Sequence, residues 1–221
     1  MKETADGRVD VRPVELHFFM RHLAHELGNP VASIRMSAEM LLGGFPPEMH
    51  QELFQIIMSE ALRLESLIES AVYFAAIGSP KSQDLDLRAL IDAAIRQEEV
   101  ETPVNVHSTL NDTPVRADLG QMARLFREII GNAAQSGATV IDITLSNDGD
   151  VTVIQVKDDG EGIPEERRAT VFDPFYTARD GRLGLGLTIA KRIAELHHGS
   201  LAIDGVTPSG TTVTLRLPQR S

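Results

Sequence analysis

The sequence predicts two folded parts of different class, an α-helical hairpin followed by an α/β sandwich with antiparallel strand pairs. Three observations predict this. Apolar residues recur at steps of three and four before Gly78, glycine and proline break that pattern at residues 43–47, and short apolar runs alternate with longer amphipathic ones from residue 86 onward. With 221 residues, 42% of them apolar, the chain has the length and composition of a folded protein of one or two domains.

Two long amphipathic helices are predicted first, over residues 14–42 and from Pro47 to just before Gly78, after a flexible segment at residues 1–13. Gly43 and Gly44 suit the end of one helix, and Pro46 and Pro47 suit the start of the next. The apolar seam of the first helix contains Met20, Leu23, Leu27, Val31, Ile34, Ala38 and Leu41. The seam of the second contains Leu53, Ile56, Glu60, Leu64, Leu67, Ala71 and Ala75.

A hairpin over residues 14–78 presents one apolar stripe per helix and cannot close a core by itself. Pairing with a second copy as a dimeric four-helix bundle is the simplest remedy. Packing of the hairpin against the rest of the same chain is the alternative.

After a linker at residues 79–85, residues 86–221 alternate between helices and strands. Helices are predicted at 87–99, 119–135 and 185–197. Strands are predicted at 104–108, 114–117, 138–146, 150–157, 200–204 and 211–217. Asn147, Asp148 and Gly149 form a strong hairpin-turn signal between two of these strands.

Composition excludes several classes of function. A net charge of -11 with no cluster of Lys and Arg argues against nucleic-acid binding. No apolar run approaches the roughly 18 residues of a membrane span, and the polar start of the chain does not resemble a signal peptide, so we expect a cytoplasmic protein. The absence of Cys excludes disulfides and thiolate metal sites.

The first chemical motif is the run from His25 to Pro30 on the first helix. Imidazole is a nucleophile near neutral pH, and Glu26 beside it can accept its proton during attack on an electrophile such as a phosphoryl group. Asn29 lies three residues beyond Glu26, so both share one helix face. Taken alone, His25 is as well explained as an exposed helix residue. Zinc-protease spacing is excluded because Asn29 stands where a second His is needed.

Two further clusters offer ligands for a nucleotide and its metal. Glu128 and Asn132 are four apart on a predicted helix, and their oxygens suit Mg²⁺. Asp158 follows a strand and can accept a hydrogen bond from an exocyclic amine, while Gly160 and Gly162 let the backbone approach a flat ring. A Glu and an Asn on a solvated helix, or an acidic tight turn, would explain either cluster equally well in isolation.

Two more clusters follow. Aromatic residues at 172, 175 and 176 surround a proline, a pattern that by itself is typical of core packing. Gly184 and Gly186 lead directly into a helix, where free backbone N–H groups hold phosphate oxygens. Ile189 stands where a dinucleotide fingerprint needs its third glycine, and no P-loop sequence occurs in the chain.

These four clusters, in this order, resemble the N, G1, F and G2 boxes of the sensor histidine kinase catalytic domain, a Bergerat-fold α/β sandwich. The run from His25 to Pro30 resembles the H box of the same family. The resemblance extends from about Leu16 to Pro218, and the short segment from Pro174 to Gly184 is most similar to kinases of the nitrogen-regulation type.

The resemblance implies a role for each matched residue. His25 becomes the phosphoacceptor, Glu26 its acid-base partner, and Asn29 the amide of a phosphatase motif. The implied ligands of ATP and Mg²⁺ are Glu128, Asn132, Asp158, Gly160, Gly162, Phe175, Thr177, Arg179, Gly184, Leu185, Gly186 and Leu187, with Asn132 and Glu128 on the metal. Glu128 stands where many members carry Asn, and in related ATPases a Glu there orients attacking water, so the resemblance allows some futile ATP hydrolysis.

The family resemblance predicts a homodimeric kinase that autophosphorylates His25 from ATP and passes the phosphoryl group to an Asp in the receiver domain of a response regulator. Two alternatives stay open on sequence alone. One is a histidine phosphotransfer or scaffold protein with a degenerate ATP domain. The other is a Bergerat ATPase or serine kinase of the anti-sigma type, which does not need the His25 helix.

Overall fold

The computed structural model describes residues 13–97, 102–108, 115–176, 184–204 and 210–219. The chain divides into two compact units. The first contains the chain up to Gly78 together with Asp173–Leu185, and the second contains Ser79–Phe172 and Gly186–Ser221. Each unit is described by itself.

The first unit is built on a helical hairpin of α1 (Pro13–Leu42) and α2 (Pro47–Ala76), which confirms the predicted pair of helices. The turn between them begins where Gly43 donates its N–H to the carbonyl of Glu39 at 2.8 Å. Gly44 then adopts a φ of 78°, the left-handed conformation that favours glycine, and Pro47 opens α2.

The apolar seams were predicted only in part. Leu53, Leu67 and Ala71 are buried as expected, but Phe74 is buried and Ala75 is exposed. On α1, Met20 and Val31 were assigned to the seam, yet each is about half exposed. The buried face of the helix pair therefore differs in part from the predicted seam, and the hairpin leaves apolar side chains exposed within one chain.

The second unit is an α/β sandwich with a five-stranded sheet in the order β2-β4-β5-β7-β6. Its strands are β2 (Val104–Ser108), β4 (Ile141–Asp148), β5 (Val151–Asp158), β6 (Ser200–Ile203) and β7 (Thr211–Pro218). Pairing is antiparallel except between β2 and β4. A separate two-stranded sheet pairs β1 (Gln83–Leu85) with β3 (Val115–Ala117).

Three helices cover the sheet. They are α3 (Leu87–Gln97), α4 (Leu119–Ala134) and α6 (Gly186–Leu196), and α4 packs between the other two. The core is formed where α4 and α6 meet the strands, with fully buried side chains that include Phe126, Ile130, Ile143 and Ile189. Burial of these side chains is the main stabilising contribution to the unit.

The second unit also differs from the prediction in several places. Residues 83–85 were assigned to a linker but form β1, because they pair with β3. A short helix, α5 (Glu165–Arg168), was missed. The predicted hairpin turn exists, but the strands continue to Asp148 and resume at Val151, so Gly149 and Asp150 form the turn. Within the described residues, no helix is both long and apolar enough to cross a bilayer.

Candidate functional site

The predicted site residues fall into two groups. His25, Glu26, Asn29, Phe175, Gly184 and Leu185 belong to the first unit. Glu128, Asn132, Asp158, Gly160, Gly162, Gly186 and Leu187 belong to the second. Thr177 and Arg179 lie outside the described residues.

On α1, the His25 imidazole contacts its neighbouring carboxylate. Nδ1 of His25 lies 3.1 Å from Oε1 of Glu26, and the His25 side chain is 72% exposed. The carboxylate is an acceptor, so in the neutral imidazole Nδ1 is the nitrogen that carries the hydrogen and Nε2 the one with the free lone pair. Asn29 is also exposed, and Pro30, which removes a backbone donor, is buried within the helix. The contact with Glu26 occupies Nδ1, so Nε2 is the nitrogen available for nucleophilic attack.

Phe175 in the first unit has an unusual backbone. Its φ is 69°, which is rare for a residue with a side chain, and its N–H donates to the carbonyl of Gly184 at 3.1 Å. The ring packs edge-on to Phe19 at 5.0 Å and stacks on His22 at 5.4 Å. Gly184 has a φ of 61°, and a Cβ there would lie 2.6 Å from the carbonyl carbon of Tyr176. Gly184 is therefore required by the local backbone.

In the second unit, the N-terminus of α6 lies against the side chains of α4. A Cβ on Gly186 would lie 2.5 Å from Oε2 of Glu128 and 3.8 Å from Nδ2 of Asn132. Only glycine fits this approach without moving Glu128. The fold thus brings the predicted metal-binding pair next to a helix N-terminus, which attracts anions through its backbone N–H groups.

Glu128 has an ion-pair partner that was not predicted from the sequence pattern. Nε of Arg124, one turn earlier on α4, lies 2.7 Å from Oε1 of Glu128. The side chains are 9% and 20% exposed respectively, so this ion pair is shielded from solvent on most sides. The signal was available in the i,i+4 spacing of an Arg and a Glu on one helix.

Asp158 is buried at the end of β5, and its Oδ1 accepts two hydrogen bonds. One comes from Oγ of Ser136 and one from the backbone N–H of Gly160, each at 3.0 Å. Within the described part of the chain, no donor reaches Oδ2. Asp158 is therefore held in one orientation with acceptor capacity left for a ligand amine. Ser136, just past the end of α4, was missed because nothing in its spacing relates it to Asp158.

Gly160 and Gly162 allow close backbone contacts around Asp158. A Cβ on Gly160 would lie 2.6 Å from both the Cβ and the carbonyl oxygen of Ser136. Gly162 has a φ of 75°, and a Cβ there would lie 3.0 Å from the carbonyl oxygen of Gly210. The two glycines thus serve the packing of this loop directly.

Asp159 does not face the same way as Asp158. Its carboxylate accepts the N–H groups of Thr139 at 2.7 Å and Val140 at 3.0 Å, ahead of β4. Hydrogen bonds from the Thr139 side chain and from the Val140 N–H lower the pKa of Asp159. Its role is to fasten the loop after β5 to the start of β4.

A second polar cluster connects the N-terminal end of α4 to the C-terminal end of α6. His197 is buried in this cluster, with 4% of its surface exposed. Its Nδ1 donates to the carbonyl of Ile193 at 2.8 Å, and its Nε2 accepts the N–H of Asp118 at 2.9 Å. Both bonds require the neutral imidazole with hydrogen on Nδ1. Burial lowers the pKa of His197, against the effects of Ile193 and Asp118.

Asp118 caps α4 from the same cluster. Its Oδ1 accepts the N–H of Gln121 at 3.0 Å, and its Oδ2 accepts the N–H of Lys81 at 2.8 Å. Burial acts to raise the pKa of Asp118, but hydrogen bonds from the N–H groups of Gln121, Lys81 and Gly120 outweigh it and lower the pKa. The cap satisfies donors that the first turn of a helix leaves open.

Comparison with known proteins identifies two domains. Residues 15–80 match the His Kinase A (phospho-acceptor) domain. Residues 117–221 match the histidine kinase-, DNA gyrase B-, and HSP90-like ATPase domain. His25 and Glu26 fall in the first match, and the seven site residues of the second unit fall in the second match.

Curated relatives match across most of the chain. The heme sensor protein HssS of Staphylococcus saprophyticus is 28% identical over 208 residues, which are 89% of this chain and 45% of that protein. The sensor histidine kinase ZraS of Escherichia coli K12 is 30% identical over 205 residues, 89% of this chain and 44% of that protein. The chain thus spans less than half the length of these two relatives.

A solved structure has the same architecture over 90% of this chain and 60% of the other. It is the histidine kinase ThkA in complex with the response regulator protein TrrA, with a TM-score of 0.73 and 23% identity. The shared helical hairpin and α/β sandwich support the fold, and the two domain matches carry the family. The chain therefore belongs to the sensor histidine kinases of two-component systems, with a phosphoacceptor domain followed by an ATP-binding domain.

Proposed function

We propose that this chain autophosphorylates His25 from ATP and passes the phosphoryl group to an Asp of a response regulator. The observation that carries the proposal is the contact of His25 Nδ1 with Glu26 at 3.1 Å, on an imidazole that is 72% exposed. That contact prepares the outer nitrogen of His25 for attack on a phosphorus atom. The second unit supplies the residues for the ATP donor.

ATP binding is assigned to the second unit and the segment that precedes α6. Asp158 accepts a hydrogen bond from the adenine amine, and Gly160 and Gly162 line the base. The N-terminus of α6, opened by Gly184, Leu185, Gly186 and Leu187, holds phosphate oxygens through backbone N–H groups. Phe175, Thr177 and Arg179 are assigned as further ligands of ATP on the family resemblance alone.

The phosphoryl step follows from the orientation of His25. Nε2 attacks the γ-phosphorus in line, a new N–P bond forms, and the bond from the γ-phosphorus to the bridging oxygen of ADP breaks. The hydrogen on Nδ1 moves to the Glu26 carboxylate, so the ring carries no net charge after transfer. Positioning of the two groups supplies most of the rate, as in other phosphoryl transfers.

Mg²⁺ fits the residues beside Gly186. The Asn132 side chain approaches the helix N-terminus with its Nδ2 and also carries an amide oxygen, and Glu128 offers a carboxylate that is already paired with Arg124. Mg²⁺ accepts one or two protein oxygens when phosphates and water complete its shell, and when bound it neutralises charge on the transferring phosphoryl group. We assign Asn132 as its main protein ligand and Glu128 as a subordinate one.

The partner is proposed to be the receiver domain of a response regulator. ThkA, which shares this fold, was solved in complex with the response regulator protein TrrA. Since ATP is a cytoplasmic metabolite, we also propose that the chain works in the cytoplasm.

A phosphatase function is proposed for the same helix. Asn29 is exposed on α1, three residues beyond Glu26, where its amide can orient water for attack on a phosphorylated partner.

A homodimer is proposed from the surface of α2. Large apolar side chains lie exposed along one side of this helix: Phe54, Met58, Leu62, Ile68 and Val72. A contiguous apolar strip of this length marks a surface that is covered in the assembled protein. Pairing of two hairpins as a four-helix bundle would cover it. The proposed domains are residues 14–78 for the hairpin and 86–221 for ATP binding.

The test is labelling with ATP that carries a labelled γ-phosphate. We expect acid-labile, base-stable label on the wild-type protein and none on His25→Ala. His17→Ala is the matched control, because His17 is an exposed histidine on the same helix, and it should label normally. Label that persists on His25→Ala would refute the assignment of the phosphoacceptor.

A further inference from the structure

The segment that precedes α6 packs on α1 of the same chain, within the first unit. The ring centroids of Phe175 and Phe19 are 5.0 Å apart, and the Phe175 ring also stacks on the His22 imidazole at 5.4 Å. Phe19 in turn stacks on Phe74 of α2 at 5.8 Å, and Phe74 is buried. Aromatic rings from the segment, from α1 and from α2 therefore form one continuous cluster within a single copy of the chain.

Two backbone hydrogen bonds fix the position of Phe175 in the segment. Its own N–H donates to the carbonyl of Gly184 at 3.1 Å, and the N–H of Tyr176 donates to the carbonyl of Asp173 at 3.2 Å. Gly184 is two residues before Gly186, where α6 begins, and two residues span at most about 7 Å. The Phe175 ring thus fastens to α1 a piece of chain that leads directly into the helix N-terminus assigned to the phosphates.

The contact on α1 lies one helical turn before the proposed phosphoacceptor. His22 and His25 are three residues apart, so they share one face of the helix and are about 4.5 Å apart along its axis. The His25 side chain is 72% exposed and is therefore accessible. The segment is fastened beside the histidine of its own copy.

We propose that each copy of the chain phosphorylates its own His25, in cis, because Phe175 holds the segment before α6 on α1 of the same copy. The inference rests on the proposed kinase function and on the proposed homodimer, in which a second His25 is present. A contact within the chain keeps the attached groups at a high effective concentration. Transfer to the other copy would first have to break that contact. Phe175 is a positioning residue in this role, since its ring contacts α1.

The phosphoryl step itself is unchanged, but all of its participants come from one copy. Nε2 of His25 forms the N–P bond to the γ-phosphorus of the ATP that the same copy holds. The bond from that phosphorus to the bridging oxygen of ADP breaks, and the hydrogen on Nδ1 moves to Glu26 of the same copy.

The experiment distributes two substitutions over the two copies of a dimer. His25→Ala removes the acceptor, and Asp158→Ala removes the side chain assigned to the adenine amine, with loss of binding checked by titration of a fluorescent ATP analogue. Two chains with different affinity tags are co-expressed and purified through both tags, so that every complex contains one copy of each. Transfer of labelled γ-phosphate to histidine is then measured.

The two substitutions are placed in two arrangements, each of which is the control for the other. In the first arrangement one copy carries both substitutions and its partner is wild type, and this complex should keep about half of the label of the wild-type dimer. In the second arrangement one copy carries His25→Ala and its partner carries Asp158→Ala. This complex should label at least about tenfold less than the first, because the intact ATP site and the intact histidine are on different copies. Label in the second arrangement as strong as in the first, or stronger, would overturn the inference.

A cross-link tests the contact of the segment with α1 without any catalysis. The chain contains no Cys, so Phe19→Cys/Phe175→Cys carries only the two introduced thiols. A short bismaleimide should join them within one copy, which gives a linked peptide pair by mass spectrometry from a band of monomer mass on a denaturing gel. Phe19→Cys alone is the control and should give neither a linked pair nor a band of dimer mass. A link confined to the dimer band, or no link at all, would overturn the inference.

The two proposals can fail separately. If the wild-type dimer does not label His25, the kinase proposal fails, while the cross-link still decides whether the segment binds α1 of its own copy. If the wild type labels and the second arrangement labels as well as the first, the kinase proposal stands and transfer in cis is wrong.

Discussion

Substitution of Gly160 by alanine tests the nucleotide loop most sharply. The new methyl group would lie 2.6 Å from the carbonyl oxygen and the Cβ of Ser136. Ser136 lies two residues past the end of α4, and its carbonyl also accepts the N–H of Glu161 at 3.0 Å, so it cannot move aside freely. The clash must therefore displace the loop after β5, including the hydrogen bonds that Asp158 accepts from Ser136 and Gly160.

The magnitude follows from these contacts. Overpacking of this kind costs about 1–3 kcal/mol, and a displaced hydrogen bond to a charged group costs a similar amount. We expect Gly160→Ala to lose about 2 kcal/mol of unfolding free energy, which is about 1 M in the urea midpoint. Misplacement of Asp158 should also weaken ATP binding by about tenfold, the equivalent of about 1.4 kcal/mol.

The assay is urea unfolding followed by titration with a fluorescent ATP analogue. Gly120→Ala is the matched control, since the nearest atom to its Cβ, Oδ1 of Asp118, lies at an ordinary 3.5 Å. Gly120 is in the first turn of α4, so alanine there should stabilise the fold by about 0.5–1 kcal/mol. If Gly160→Ala has the same urea midpoint and the same affinity for the ATP analogue as the wild type, the packing argument for this loop is refuted.

Two other substitutions test the helix N-terminus and the exposed face of α2. Gly186→Ala places a methyl group 2.5 Å from Glu128, so we expect at least about a tenfold loss of histidine labelling, measured with labelled ATP. Normal labelling would contradict the close approach. Leu62→Glu puts a charge on the exposed strip of α2 and should shift the protein toward monomer in light scattering. Ala93→Glu, at an exposed site of α3, is its control. If Leu62→Glu remained a dimer in light scattering, the dimer interface would lie elsewhere on the protein.

The sequence predicted most elements because their patterns are local. The seams of α1 and α2, the turn at Gly43 and Gly44, and the strand pair around Gly149 each depend on residues within a few positions of one another. The prediction missed β1 because three residues carry no periodicity, and what makes them a strand is pairing with β3, about thirty residues away in the chain.

Motif spacing indicated the ligand side chains but not the residues that hold them. Asp158, Asn132 and Gly186 stand in recognisable patterns. Ser136 and Arg124 do not, since their roles arise from the packing of α4 against the loop after β5 and from burial of the ion pair. The burial of His197 could not be predicted for a related reason, because a histidine at a helix end is buried only with a distant hydrogen-bond partner, here the N–H of Asp118.

His197 gives a pH dependence whose sign is fixed by its hydrogen bonds. The fold requires the neutral imidazole, and the pKa of His197 is lowered by burial. In the unfolded chain the imidazole takes up a proton near pH 6.5. The contribution of the neutral His197 to the free energy of unfolding is therefore fully present above that pH. It is lost as the pH falls below it, by at most about 1.4 kcal/mol per pH unit. In His197→Gln, the free energy of unfolding measured by urea titration should lack this part of its dependence on pH between about pH 7 and pH 5.

We expect the same substitution to affect the proposed nucleotide-binding residues as well, through the antiparallel helices α4 and α6. Gly186 at the start of α6 lies against Glu128 and Asn132, and His197 just past its end accepts the N–H of Asp118 ahead of α4. These contacts join α4 and α6 at both ends of α6, about 16 Å apart for an 11-residue helix. When the Asp118 contact is lost, α4 and α6 still pack through their buried side chains, but the spacing between the two helices is less firmly fixed, and the Gly186 end is affected. We expect His197→Gln to weaken binding of the ATP analogue severalfold at pH 8, where the wild-type imidazole is neutral.

The control is His107→Gln, at an exposed position in β2, which should bind the ATP analogue as the wild type does. Equal affinity for His197→Gln and wild type would show that the two ends of the helix pair are independent.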